Sequence, residues 1–385
     1  MEYFLTEQQQ TLKGLARKIA EQRILPVRAE LDEKEEFPRE LIQEMAASDL
    51  LRIFIPEEYE GLGGGSLDLC LVIEELSRVC GGVAISYGAN ALGSLPIIGY
   101  GSDEQKKRYL PDVAAGKRLT AFAVTEATAG SDAANIRTAA VRSDGHYVLN
   151  GTKQFITNAG EAEIYSVVVM TDPARGTRGA SALIVEKDTP GFSFGKKEKK
   201  MGIRTSSTRE LVFRDCRVPE ENLVGKEGQG FIIAIRTLDR SRPGVAAQAV
   251  GIAQGALEAS VDYARQRVQF GHPVSAIQAV QHLLADMATE LEAARALVYA
   301  VARTIDAGAK SFAEEAAMAK VFASDMAMRV TTNAVQILGG AGYMRDYPVE
   351  KMMRDAKITQ IYEGTNQVVR NTIALEVLKR KAQQE

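Results

Sequence analysis

The chain has 385 residues, 45% hydrophobic and 25% charged, a globular composition with length for two or three domains. Its net charge of −3 weighs against a nucleic-acid binder, which needs surplus Lys and Arg on one face. Three cysteines with no CxxC pair and three distant histidines argue for reduced thiols, against a disulfide framework and against a zinc site.

The N-terminal stretch "MEYFLTEQQQTLKGLARKIAEQ" becomes an amphipathic helix almost at once, with Leu12, Leu15, Ala16 and Ile19 at helical spacing. It carries no signal-peptide or transit-peptide pattern, so a cytoplasmic place is expected, or the mitochondrial matrix if a transit peptide has been removed. No run of eighteen apolar residues occurs, so no membrane span is expected. "LIQEMAASDL" and "LCLVIEELSRV" continue the helical pattern around a breaker-rich loop, "IPEEYEGLGGGSLD". Residues 1–118 therefore read as a helical domain.

Residues 119–227 change to β-branched runs bounded by Gly, Pro and Asp: "YSVVVMT", "ASALIVEK" and "RELVFRDCRV". Asp144-Gly145 and Asn150-Gly151 both read as hairpin turns. This predicts an antiparallel β domain. The basic run "KKEKKMGIR", 196–204, reads as a solvated hairpin face or as a site for a phosphate-bearing ligand. Residues 228–385 return to helix in three long stretches and a last one at 365–380, an antiparallel four-helix bundle. The fold class is α+β, mostly α.

Four stretches can carry chemistry. "AFAVTEATAGSD", 121–132, is a strand followed by small residues whose N–H groups and hydroxyls suit a phosphate or heterocycle edge; otherwise it is a Gly loop. "KQFITNAG", 153–160, offers an aromatic and a Thr before a turn, or a core Phe155 beside a surface Thr157. "RQRVQFG", 265–271, places Arg267 at a helix end, where an exposed arginine is the simpler reading and an anion contact the functional one. The fourth, 336–370, holds "QILGGAGY" and "TQIYEGTNQ", with glycines that permit close backbone approach and one carboxylate, Glu363, between Tyr362 and Gly364. Alone, Glu363 is a turn residue before an N-cap, Thr365.

Together and in this order, "TEATAGSD", "TKQFITNAG", "ARQRVQFGHP", "IQAVQHLLADMA", "QILGGAGY" and "RDAKITQIYEGTNQ" resemble the acyl-CoA dehydrogenase family over essentially the whole chain. The resemblance implies helical, barrel-like β and helical-bundle domains and non-covalent FAD. It places Phe122, Val124 and Thr125 at the isoalloxazine, Gly130 and Ser131 near the flavin phosphates, and Phe155 and Thr157 against the flavin. Phe155 stands where the family often has Trp, and this chain has no Trp; the flat contact stays, the indole donor goes.

Arg267, Gln269, Phe270 and Gln278 match residues that reach a neighbouring subunit's FAD, and Gln336, Ile337, Leu338, Gly339 and Gly340 match its adenine end. Thr365, Asn366 and Gln367 are implied at the cofactor too. A shared site needs at least a dimer, and a homotetramer built as a dimer of dimers is implied. Ser131, Asp239, Arg240, Ser241, Arg242, Tyr362 and Gly364 resemble the CoA-thioester contacts, with Arg242 suited to a polar or phosphate portion of CoA.

Glu363 matches the family's catalytic base, removing the α-proton while a hydride leaves the β carbon for flavin N5. The alternative base position is Ser241, which cannot serve. Residues 83–97 are expected to end the acyl pocket, with Tyr87 shortening it; the missing arginine near Val83 argues against a dicarboxylic substrate. Ala127 replaces a usual proline without removing a contact group. The implied activity is α,β-dehydrogenation of an acyl-CoA, with electrons passed to electron-transfer flavoprotein. An oxygen-using oxidase, a flavin monooxygenase, a DNA-binding relative and a non-catalytic acyl-CoA binder are the alternatives.

Overall fold

The computed structural model describes residues 3–382. Helix α1 (Glu7–Ile19) opens on a capping box: Thr6 accepts from the Gln9 N–H, and the Gln9 side chain returns to the Thr6 N–H. Helices α2 (Arg28–Lys34) and α3 (Arg39–Ala47) lead to α4 (Ser66–Val79). The breaker-rich loop before α4 is tied down by Asp306, whose two carboxylate oxygens accept the N–H groups of Ser66 at 2.6 Å and Leu67 at 2.9 Å. Helix α5 (Gly81–Tyr100) follows after Cys80 alone, and α6 (Asp103–Ala114) starts on a second capping box, Ser102 with Gln105.

Eight strands form one sheet: β1 (Thr120–Ala123), β2 (Ala139–Ser143), β3 (His146–Thr157), β4 (Ile164–Met170), β5 (Ala180–Glu186), β6 (Phe192–Lys197), β7 (Thr208–Pro219) and β8 (Leu223–Val224). The order is β6-β7-β3-β2-β4-β5-β8, with β1 on β4. Three expectations are corrected here. The sheet is mixed, because β1 runs parallel to β4 and β2 meets β4 in parallel at Ala139 and Met170. It is open among the described residues, with no pairing of β6 to β8. Asp144-Gly145 does make the tight β2–β3 turn, with φ of 49° and 74°. Asn150-Gly151 does not turn the chain. It lies inside β3 at a register shift against β7, where Asn150 exchanges hydrogen bonds with Asp215. In the basic run, Lys197 donates to the Glu35 carbonyl and Lys200 to that of Ser206, while Lys196 and Lys199 are exposed.

Helix α7 (Gly230–Gln266) is next, then a small hairpin of β9 (Val268–Gln269) and β10 (His272–Pro273). Helices α8 (Gln278–Asp306), α9 (Ala313–Leu338), the short α10 (Gly340–Tyr343), α11 (Val349–Lys357) and α12 (Asn366–Ala382) complete the chain. The small residues of α7 have a packing purpose. A Cβ on Gly251 would lie 2.2 Å from the Glu74 carbonyl oxygen, and one on Gly255 2.0 Å from that of Arg78, so α7 and α4 touch backbone to backbone. Beside this seam, Arg295 and Tyr299 of α8 bind the buried Glu74 at 2.8 Å each. No described helix is long and apolar enough to cross a membrane.

Candidate active site

Residues 361–365 link a one-turn helix ending at Gln360 to α12. Glu363 has φ of 53° and Gly364 of 95°. A left-handed backbone costs a non-glycine residue about 1–2 kcal/mol, so the surroundings must hold it. They do. The Tyr362 hydroxyl donates to Gln248 Oε1, and Gln248 Nε2 donates to the Gly81 carbonyl at 3.0 Å. Arg242 Nε points at the Glu363 carbonyl at 3.4 Å, and Lys320 Nζ donates to that of Gly364 at 2.7 Å. Thr365 Oγ1 accepts the Val368 N–H at 3.3 Å and caps α12.

The Glu363 carboxylate sits in the wall of a cleft between α4, α5 and α7. Ser241 Oγ donates to its Oε2 at 2.5 Å. Burial pushes the carboxyl up from its ordinary value, against the Ser241 hydrogen bond and the Arg242 and Lys320 charges. Among the described residues the Glu363 N–H has no partner. The cleft runs from this polar end to an apolar one. Helix α5 contributes Ala84, Ile85, Gly88, Ala91, Leu92 and Leu95, one helical face, and α4 adds Leu69, Cys70 and Ile73. Tyr87 does not shorten it. That side chain lies on another face of α5, donates to the Leu50 carbonyl at 2.8 Å and packs on Phe54.

Arg242 needs a correction as well. It is 6% exposed, pairs with Asp239 at 2.5 Å and reaches the back of the Glu363 loop, so it cannot receive a CoA phosphate. Burial pushes the Asp239 carboxyl up despite that pairing. The exposed Arg240, at the cleft wall, is the arginine placed to meet a solvent-facing part of a ligand.

A second surface adjoins the cleft. Phe122 and Val124 pack with Leu92 of the cleft and Leu238, whose carbonyl Ser241 also approaches. The Gln154 N–H donates to the Thr125 carbonyl at 2.8 Å, which sets the Phe122–Thr125 segment beside Phe155 and Thr157. A register shift in β3 gives Phe155 a φ of 57° and turns its ring out, 63% exposed. The half-buried hydroxyls of Thr125 and Thr157 have no partner among the described residues. A flat exposed ring flanked by two free hydroxyls fits a planar heteroaromatic group with polar edges, as an isoalloxazine has. Gly130 and Ser131 lie exposed in the adjoining loop. That loop is fixed by Glu126, which sequence reasoning missed. Its carboxylate accepts from Lys153 Nζ at 2.7 Å and from the N–H groups of Arg137 at 2.8 Å and Thr138 at 3.0 Å.

The remaining expected cofactor residues stand apart. Gln269 and Phe270 form the tip of the β9–β10 hairpin, with Phe270 89% exposed, and Arg267 and Gln278 are exposed at its two ends. Gln336, Gly339 and Gly340 are exposed where α9 ends, Ile337 is half-buried and Leu338 is core. No hydrogen bond or ion pair among the described residues joins these segments to the Glu363 loop. Gln367 is exposed, but Asn366 is buried. Its Oδ1 accepts from Lys320 at 2.8 Å and its Nδ2 donates to Asp325 at 2.7 Å, so Asn366 serves the loop and has no face for a cofactor.

Family models match three successive segments: acyl-CoA dehydrogenase N-terminal domain over residues 6–117, middle domain over 121–216 and C-terminal domain over 228–378. The chain is 49% identical over 382 residues to acryloyl-CoA reductase (NADH) of Anaerotignum propionicum, covering 99% of this chain and 97% of that protein. The solved structure of butyryl-CoA dehydrogenase from Megasphaera elsdenii matches with a TM-score of 0.96 and 48% identity, over 98% of this chain and all of that one (100%). A chain of a structure described as electron transferring flavoprotein of Acidaminococcus fermentans matches with a TM-score of 0.96 and 52% identity, over 98% and 100%. The chain belongs to the acyl-CoA dehydrogenase family of FAD-dependent oxidoreductases.

Proposed function

We propose that this enzyme converts a short-chain acyl-CoA to its 2-enoyl-CoA, with Glu363 as the base that takes the α-proton. The carrying observation is the Glu363 carboxylate, pushed up by burial in the wall of an apolar cleft. Ser241 occupies Oε2, which leaves Oε1 for the proton. The free Glu363 N–H is a donor for the thioester oxygen, where charge develops as the proton leaves. Phe122, Thr125, Phe155 and Thr157 would hold FAD, and FAD when bound accepts the hydride from the β carbon. An acyl group filling the cleft would exclude water, which keeps the carboxylate basic.

Likeness to butyryl-CoA dehydrogenase supports a short acyl chain. So does the apolar end of the cleft: Ile73 Cδ1 would lie 3.3 Å from a Cβ on Gly88 and equally 3.3 Å from one on Gly244, so Ile73 fills the gap between α5 and α7. Likeness to the flavoprotein structure supports electron-transfer flavoprotein as the acceptor, and the protruding Phe270 hairpin supports a homotetramer that shares its FAD sites. Likeness to acryloyl-CoA reductase favours a second reading, the same site run towards reduction.

The test is anaerobic flavin bleaching with straight, branched, alicyclic and dicarboxylic acyl-CoAs. Butyryl-CoA is expected to bleach fastest; no bleaching with any of them sinks the proposal. Reduction of electron-transfer flavoprotein without release of hydrogen peroxide separates a dehydrogenase from an oxidase. Ile73→Ala is expected to shift kcat/KM from butyryl-CoA towards hexanoyl-CoA about ten- to a hundredfold, since a methylene in an apolar pocket is worth roughly 1–3 kcal/mol. An unchanged ratio places the end of the acyl site elsewhere.

A further inference from the structure

We propose that Lys320 is a positioning residue for this reaction: its side chain and that of Arg242 clamp the two consecutive carbonyls after the Glu363 Cα and thereby aim the carboxylate. The inference rests on the reading of Glu363 as base.

Lys320 lies on the inner face of α9 among Ala316, Ala319 and Ala323 and is fully buried. Its Nζ donates to the Gly364 carbonyl at 2.7 Å and to Asn366 Oδ1 at 2.8 Å. Arg242, from α7, holds the preceding carbonyl, that of Glu363. Two helices thus grip a backbone that Glu363, at φ of 53°, does not adopt by preference. If the grip loosens, the loop relaxes and both the carboxylate and the Glu363 N–H leave their places in the cleft.

The groups facing Lys320 are Glu363 of the loop, Arg242 of α7, Asp325 of α9 and Arg370 of α12. Burial pushes the lysine down to about 8, with the Glu363 charge the largest opposing influence. The ammonium is therefore present below about pH 8 and lost above it, where the clamp weakens. While present, its charge also favours the ionised form of Glu363.

The experiment uses FAD-loaded Lys320→Met and Lys320→Gln, with butyryl-CoA as the probe, from about pH 6 to about pH 10. For Lys320→Met the bleaching rate is expected to fall roughly ten- to a hundredfold, as for a small misplacement of a catalytic group, with butyryl-CoA affinity nearly unchanged. Its acid limb is expected to move up, and the alkaline decline of the unaltered enzyme to disappear. Lys320→Gln keeps an N–H donor without the charge, and should recover only part of the rate, like the neutral amine above about pH 8, and not the pH profile. A Lys320→Met enzyme with the original rate and profile overturns the proposal. If neither variant folds, the unaltered enzyme decides: a bleaching rate flat through about pH 8 overturns it too. Glu363→Gln separates the two readings. Full activity there removes the base, whereas an inactive Glu363→Gln beside a normal Lys320→Met removes only the clamp.

Discussion

Glu363→Gln is expected to slow flavin bleaching by butyryl-CoA by on the order of 10³- to 10⁴-fold while leaving acyl-CoA binding nearly intact, as for loss of a general base. Glutamine keeps the side-chain length, the backbone N–H and an oxygen for Ser241, so the change isolates proton transfer. The pH profile gives a second reading of the same group. Burial raises the Glu363 carboxyl, and the protonated acid cannot take a proton. The rate should therefore rise with pH through a limb lying above the ordinary carboxylate range, and this limb should vanish in Glu363→Gln. A variant with the parent's bleaching rate would show that the α-proton leaves to another group. Ser241 offers no substitute, since its hydroxyl already donates to the same carboxylate.

The second large effect is expected away from the chemistry. Lys153→Met should cost about 3–5 kcal/mol of stability, the usual result of removing one partner from a buried ion pair. Lys153 is fully buried, and its ammonium joins the Glu126 carboxylate to the Val124 carbonyl. Methionine fills the space of the stem and leaves Glu126 with two backbone donors and no counter-charge. The loop those bonds shape carries Thr125, Gly130 and Ser131. Loss of flavin on gel filtration should therefore accompany the lower denaturation midpoint. An unchanged midpoint with tightly held flavin would show that the backbone bonds alone fix the loop.

Elements were legible in the sequence where their causes are local. Capped helices and the Asp144-Gly145 turn follow from a few adjacent residues. Asn150-Gly151 carries the same local signal without turning the chain, because its partner Asp215 lies on β7, far along the chain. The proposed base, Glu363, stands out by its motif. Its supports do not, because Arg242 and Lys320 are residue types found outside by default. A signal existed for Lys320: Ala316, Ala319, Ala323 and Ala327 recur at helical spacing, and the lysine shares their face. Tyr87 shows the opposite error. Its segment does line the cleft, but helical phase sends this one ring into the core.

The seam at Gly251 and Gly255 has a consequence for how the molecule comes apart. Three family segments follow one another along the chain, yet α4 of the first and α7 of the last share a contact with no room for a single methyl group. That contact cannot form until both helices are in place, so the β sheet is an insertion spliced into one helical body. A severed N-terminal segment should stay molten, whereas the two helical segments should melt as a single cooperative unit. Closing that seam brings together residues distant in sequence, which makes it a late, slow event in folding and a firm lock once made.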